Sequence, residues 1–234
     1  MKQISIILPT YNEKDNLPRL VNEVDKSLKG KYVYELIIVD DNSPDGTWAL
    51  AQELQKKRED IKLIIRKNER GLASAIRKGI EEAIYDNIII MDTDLSHNAN
   101  TLPDMIKKSE GYDIIVASRF VKNGKMIAPL YRIKGGYIIN LAIRILLNSK
   151  VKDNTGGFLL ISKDKLSSLN FDSIFYGYGD YSIRLVYYAQ KKGLKIYELG
   201  YTHRYRTRGR SKTSFFKMGF KYFWEILKLR IKDY

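Results

Sequence analysis

The sequence predicts an α/β protein with a mostly parallel central sheet and helices on both of its faces. Three observations point there. From Ile4 to Ala117, short apolar runs alternate with amphipathic stretches. Polar turns rich in Asn, Asp, Pro and Gly follow the apolar runs. The run Ile88–Met91 ends on Asp92-Thr93-Asp94, an acidic pair where such sheets open their ligand crevice.

In order, Ile4–Leu8 reads as a strand and Lys14–Lys29 as the helix after it. Glu35–Val39 with helix Asp45–Lys57 repeats the unit, as does Ile61–Ile65 with helix Leu72–Tyr85. Strand Ile88–Met91, helix Leu102–Ser109 and strand Ile114–Ala117 close the regular part. The pattern then loosens. Tyr131–Leu147 reads as a helix with an apolar face, Phe158–Ile161 as a strand and Asp180–Lys192 as a helix. Lys195–Leu199 reads as a strand, and a final helix is expected over Ser214–Ile231. No repeat, low-complexity tract or Pro/Ser-rich linker marks a boundary.

Composition narrows the chemistry. The 234 residues are 44% hydrophobic and 29% charged, enough to bury a sizeable core. Cysteine is absent, which excludes disulfides and thiolate metal sites. Two histidines, His97 and His203, leave little scope for zinc sites or histidine triads. A net charge of +14 favours an anionic partner: nucleic acid, an anionic lipid surface or phosphorylated small molecules. Nucleic acid accounts for the charge but not for acids clustered at strand ends, so it is not expected. No leader pattern precedes the first strand, and no apolar stretch is long enough to span a bilayer.

Asp92 and Asp94 repel each other unless a cation sits between them, and hard oxygen ligands suit Mg²⁺ or Mn²⁺. Such ions are commonly completed by substrate phosphates, which points to a nucleotide diphosphate. Capping of the next helix, from Ser96 or Asn98, is an equal reading of the motif alone. Pro9-Thr10-Tyr11-Asn12-Glu13 is first a turn; Tyr11 can wall a base, and Glu13 can hold ribose or metal-bound water. Asp40, opening Asp40-Asp41-Asn42-Ser43-Pro44-Asp45-Gly46-Thr47, can accept hydrogen bonds from a base or a ribose hydroxyl. Gly71 opens a helix whose N-terminus suits a phosphate, though a plain helix start explains it equally well.

These segments occur in a set order with Met91–His97, Ala117-Ser118-Arg119-Phe120, Thr155-Gly156-Gly157-Phe158 and Gly209-Arg210-Ser211-Lys212. The ordered set resembles the inverting glycosyltransferase family 2, and within it the dolichol-phosphate (polyprenol-phosphate) mannose synthases. The resemblance implies a GT-A (Rossmann-like) catalytic domain over residues 1–212, then a basic, aromatic amphipathic helix over 213–234. It also implies a GDP-mannose donor, a dolichyl or polyprenyl phosphate acceptor and Mg²⁺ or Mn²⁺. Carried over by position, Pro9, Tyr11, Glu13 and Asp40 would line the nucleoside. Asp92 and Asp94 would hold metal and diphosphate, and Lys212 would belong to a late loop closing over the donor. Arg119, Arg132 and Arg206 would clamp the acceptor phosphate, with Asp94, Arg119 and Arg206 as the catalytic set. Ser96 stands where many relatives have Gln, and Asn98-Ala99 where they have Pro-Pro.

A phosphate monoester is largely dianionic at neutral pH and needs cationic groups rather than a strong base. The competing versions of the reaction keep the fold but use UDP-glucose, or a glycan hydroxyl as acceptor. A hydroxyl would require a carboxylate base, for which Asp180 is the candidate; its plainer reading is an N-cap. The C-terminal aromatic and basic residues suit C-terminal interfacial helices on an anionic leaflet, or equally an amphipathic helix packed on the core. Some relatives continue into transmembrane helices, whereas this sequence stops at Tyr234. The expected location is therefore cytoplasmic and peripheral on the cytoplasmic face of a membrane, directly or through a membrane-anchoring partner subunit.

Overall fold

Apolar, β-branched runs form the two longest strands, β1 (Gln3–Thr10) and β2 (Val33–Asp40), and every residue after the first in each is buried. Strands covered on both faces read as continuous apolar runs rather than alternating ones. The structure, a computed structural model, describes residues 2–205 and 215–231. Helix α1 (Leu17–Leu28) buries Leu17, Leu20, Val21, Val24 and Leu28, one stripe at helical spacing. It starts later than Lys14, because residues before it form a turn and Pro18 sits in the first turn of the helix.

Then follow α2 (Thr47–Lys57), β3 (Ile61–Ile65), α3 (Leu72–Glu81), β4 (Asn87–Ile90), α4 (Leu102–Lys108) and β5 (Ile114–Ser118), in the expected order. Helix α3 lies directly on β1 at Gly79, where a methyl group would collide with Ile7. The remainder is β6 (Lys125–Met126), α5 (Leu130–Leu146), β7 (Leu159–Ser162), α6 (Lys163–Ser167) and α7 (Phe171–Ile174), then α8 (Tyr181–Lys191), β8 (Ile196–Gly200), β9 (Thr202–His203) and α9 (Phe215–Ile231). The two-residue strands β6 and β9 pair in parallel, an element the sequence pattern did not reveal.

The main sheet has the order β3-β2-β1-β4-β7-β5-β8. It is parallel except at β7, which runs antiparallel to both neighbours; Leu159 lies opposite Ile90 on one side and Val116 on the other. The loop entering β7 thus sits at the same edge as the loops leaving β4 and β5. One buried cluster, with α1 and α4, covers one face of the sheet. A second, with α3 and α8, covers the other.

A third cluster joins Ile143 and Leu147 to Ile183, Tyr187, Ile226 and Leu229, so α5 and α9 pack on α8. Both helices also face outward. Within α5 only Asn140 and Ile143 are buried. Leu130, Tyr131, Tyr137, Ile138 and Ile145 are 55–70% exposed. In α9, Phe220, Phe223, Trp224 and Ile231 are exposed as well. The final helix therefore packs one face on the core, as one of the two readings expects, and leaves aromatic and basic residues exposed on the other. Among the described residues, no helix is long and apolar enough to cross a membrane.

Candidate active site

Loops leaving β4 and β5, the loop entering β7, and parts of α5 and α9 line a cavity of about 340 Å³. Asp92, Asp94, Arg119 and Arg132 all reach it, so residues forty positions apart in the chain share one space. Only β7 lies between β4 and β5, which sets the acids and Arg119 on strands roughly 10 Å apart.

The acidic turn is held by its backbone. Asp94 Oδ1 accepts the Ser96 N–H at 3.0 Å. The capping role falls to Asn98, whose side chain accepts the Asn100 N–H at 3.1 Å at the start of a short 3₁₀ turn. His97 is buried and acts as a strut: its Nδ1 accepts the Asp92 N–H at 3.0 Å, and its Nε2 lies 3.2 Å from the Gly156 carbonyl. Those partners assign the ring proton to Nε2. The ring also stacks on Phe158 at 4.7 Å.

Arg119 is almost enclosed. Its Nε and Nη2 donate to the two oxygens of Asp153 at 2.7 and 2.6 Å, and Nη2 also donates to Thr155 Oγ1 at 2.8 Å. Burial opposes the guanidinium charge, but Asp153 outweighs it and raises the pKa above the ordinary arginine value. Neither Asp153 nor its role was singled out from the sequence, since its partner is 34 positions away. Arg132, half-buried, lines the cavity with its guanidinium 5.5 Å from the centre of the Tyr205 ring.

His203, also unassigned from the sequence, lines the same cavity, and its Nδ1 is buried with no hydrogen-bond partner among the described residues. Burial, helped by the Arg119 charge, pushes its pKa down to about 3, so the ring is neutral at physiological pH. Gly157 lies in the left-handed region at φ 72°, and its carbonyl accepts the Tyr181 hydroxyl at 3.1 Å.

Pro9, Tyr11, Glu13 and Asp40 stand apart from this lining, Pro9 and Asp40 at the ends of β1 and β2 and Tyr11 and Glu13 in the turn after β1. Asp40 is fully buried; it accepts the Ser43 N–H at 2.8 Å and the hydroxyls of Thr10 and Ser43 at 2.8 and 2.7 Å. Glu13 is buried and accepts Asn16 Nδ2 at 2.7 Å, while its N–H donates to Thr47 Oγ1 at 2.9 Å. The Pro9 carbonyl accepts the Thr93 hydroxyl at 3.1 Å. Tyr11 carries the Arg70 guanidinium 3.8 Å above its ring centre. Arg206 and Lys212, with Arg208 and Arg210, lie outside the described residues.

Asp180 occupies the N-cap position of α8 but makes no side-chain cap bond. It accepts the Tyr178 N–H at 2.8 Å and Arg184 Nη1 at 2.5 Å instead. Burial resists its ionisation, yet Arg184 prevails and holds its pKa below the usual carboxylate range. Such a group is a weak base.

Residues 5–169 match the family model described as "Glycosyl transferase family 2". The chain belongs to this family. It is 37% identical over 214 residues to a dolichol-phosphate mannosyltransferase of Pyrococcus furiosus, covering 90% of this chain and 59% of that protein. The chain thus spans less than two thirds of that relative's length. This family 2 transferase is also 30% identical to an undecaprenyl-phosphate mannosyltransferase of Micrococcus luteus, covering 91% of this chain and 88% of that protein. Among solved structures it resembles glucosyl-3-phosphoglycerate synthase from Mycobacterium tuberculosis in complex with Mn²⁺, UDP-glucose and phosphoglyceric acid. The TM-score is 0.75 at 17% identity, over 98% of this chain and 80% of that one, a likeness of GT-A type fold.

Among the described residues, no three His, Asp or Glu side chains form a ready-made metal cage. Asp92, Asp94 and His203 all line the one cavity. Two carboxylates, completed by substrate phosphates, fit Mg²⁺ or Mn²⁺.

Proposed function

We propose that this family 2 transferase moves mannose from GDP-mannose to a polyprenyl phosphate of the dolichyl type, with inversion at the anomeric carbon. The observation that carries the reading is a single cavity holding two carboxylates and two guanidiniums. One pair suits a cation-bound diphosphate and the other a phosphate acceptor. Relatives named for transfer of mannose to dolichol phosphate, undecaprenyl phosphate and polyprenol monophosphate support both the sugar and the acceptor class.

In this reading Asp92 and Asp94 would hold the Mg²⁺ or Mn²⁺. Such an ion would supply positive charge to offset the negative charge of the departing diphosphate. Arg119 and Arg132 orient the acceptor so that a phosphate oxygen attacks the anomeric carbon in line. That oxygen forms the new bond, and the electron pair of the broken bond leaves on GDP. No proton needs removal, because the phosphate's second ionisation lies near pH 6. The engaged carboxylate of Asp180 also speaks against a glycan hydroxyl acceptor. The turns of Pro9, Tyr11, Glu13 and Asp40 bed the nucleoside, and Arg206 and Lys212 keep the roles that the resemblance implies for the late loop. The open apolar faces of α5 and α9, flanked by basic residues, would seat the protein on the anionic cytoplasmic leaflet, alone or beside an anchoring subunit.

The test is transfer of labelled sugar to polyprenyl phosphate in vesicles, with GDP-mannose and UDP-glucose compared, with and without chelator. A β-mannosyl phospholipid formed only from GDP-mannose and only with divalent metal is expected. Equal or better transfer from UDP-glucose overturns the donor, and full activity in chelator overturns the metal.

A further inference from the structure

The two buried residues of α5 are of opposite character. Ile143 packs in an apolar cluster, whereas Asn140 is 2% exposed and spends its amide entirely on the neighbouring backbone and loop. Its Oδ1 accepts the Asn154 N–H at 2.7 Å. Its Nδ2 donates to the Gly136 carbonyl at 2.9 Å and to Thr155 Oγ1 at 3.0 Å. The same Thr155 oxygen accepts Arg119 Nη2 at 2.8 Å. One hydroxyl thus joins the amide of α5 to the guanidinium in the cavity, and the adjoining Asp153 grips that guanidinium from the other side. A buried amide is destabilising unless every polar atom is matched, and here the matching beyond α5 runs to Asn154 and Thr155 beside Arg119.

We propose that Asn140 is a positioning residue that sets the Arg119 guanidinium through Thr155, so that the helix with the open apolar face also aligns the acceptor clamp. The inference rests on the reading of Arg119 as the acceptor-phosphate ligand. Arg119 retains its ion pair with Asp153 when the relay is cut, so the expected loss is of alignment and not of charge.

The test uses Thr155→Val and Asn140→Leu, both close to the native volume, assayed with a water-soluble short-chain prenyl phosphate and with a long-chain acceptor in vesicles. Each variant is expected to raise the KM for both acceptors about tenfold, the worth of one hydrogen bond to a charged group, with the KM for nucleotide sugar unchanged. Thr155→Ser, which keeps the hydroxyl, is expected to recover most of that loss. The double variant Asn140→Leu/Thr155→Val should be no worse than the poorer single one, because both cut the same relay. Additive losses, equal loss toward donor and acceptor, or a loss confined to vesicles each overturn the proposal. If Asn140→Leu proves unstable, Thr155→Val alone decides between the outcomes, with thermal unfolding as its control. Arg119→Lys separates the two levels of argument. If it leaves acceptor KM unchanged, the reading of Arg119 fails; if it raises acceptor KM while Thr155→Val does not, the relay fails.

Discussion

The parallel half of the sheet, β1 to β4, and the half around the cavity handle buried charge in opposite ways. In the first, acids at strand ends close on partners nearby in space and rigidify the turns. Asp41 accepts Arg66 Nε at 2.7 Å and the Gly71 N–H at 2.8 Å, with both charged side chains below 10% exposure. In the second, charges tie loops to helices across the site. Arg184 is fully buried and binds Asp180, Glu225 of α9, and the carbonyls of Ile174 and Tyr176. The loop it fastens carries Tyr178 and Gly179, which line the cavity. The same ionic chemistry thus makes scaffold in one half and site geometry in the other.

The largest effect should come where the two halves meet. Asp94→Asn is expected to lower transfer by on the order of 10³-fold, about 4 kcal/mol of barrier, with a thermal midpoint close to that of the parent. Turnover that survives would leave the acidic turn as scaffold.

Next come the two buried arginines. Arg66→Met and Arg184→Met should each lose roughly 3–5 kcal/mol of stability in urea unfolding, since each strands a buried carboxylate. Only Arg184→Met should also raise the acceptor KM. If both variants or neither did so, the distinction between the halves would disappear.

A smaller effect sharpens the outward side of the contrast. Ile138→Glu or Phe223→Glu should weaken binding to anionic vesicles roughly tenfold, the order expected for one large apolar side chain. The counterpart Ile84→Glu, an exposed apolar residue just beyond α3, should leave co-sedimentation unchanged. A matching loss there would remove any special status from α5 and α9.

The smallest effect concerns His203. Its folded pKa of about 3 lies below the ordinary value of 6.5, so folding favours the neutral ring. The stability it contributes is complete above pH 6.5 and is lost as pH falls toward 3. In metal-free protein, the stability loss between pH 7 and 5 should be about 1–2 kcal/mol smaller in His203→Phe than in the parent. Parallel curves would show that the ring is not sealed.

The same division explains what the sequence made legible. Strands β1, β2 and β4 are buried on both faces, so their apolar runs announced them, and Asp92-Thr93-Asp94 could be placed at a strand end. The run Phe158–Ile161 showed a strand but not its direction, because antiparallel β7 is also covered on both faces and lacks alternation. Strands β6 and β9 are too short for any period. Asn140 and Arg184 are polar residues within helices, yet both are buried, because the loops packed on those helices match their polar atoms. At Asp40 the strand-end position was legible, whereas its hydrogen bonds from Ser43 and Thr10 were not.

The reversed strand between β4 and β5 also has a consequence for synthesis. As the chain leaves the ribosome, the isoleucine-rich flank of β4 must wait for residues 91–158 before Leu159 can cover it. At ~5–20 residues per second this interval is on the order of 3–14 s, during which a nascent sheet presents one unpaired apolar margin. Chaperone demand should therefore concentrate in that window of translation, well before the last helix emerges.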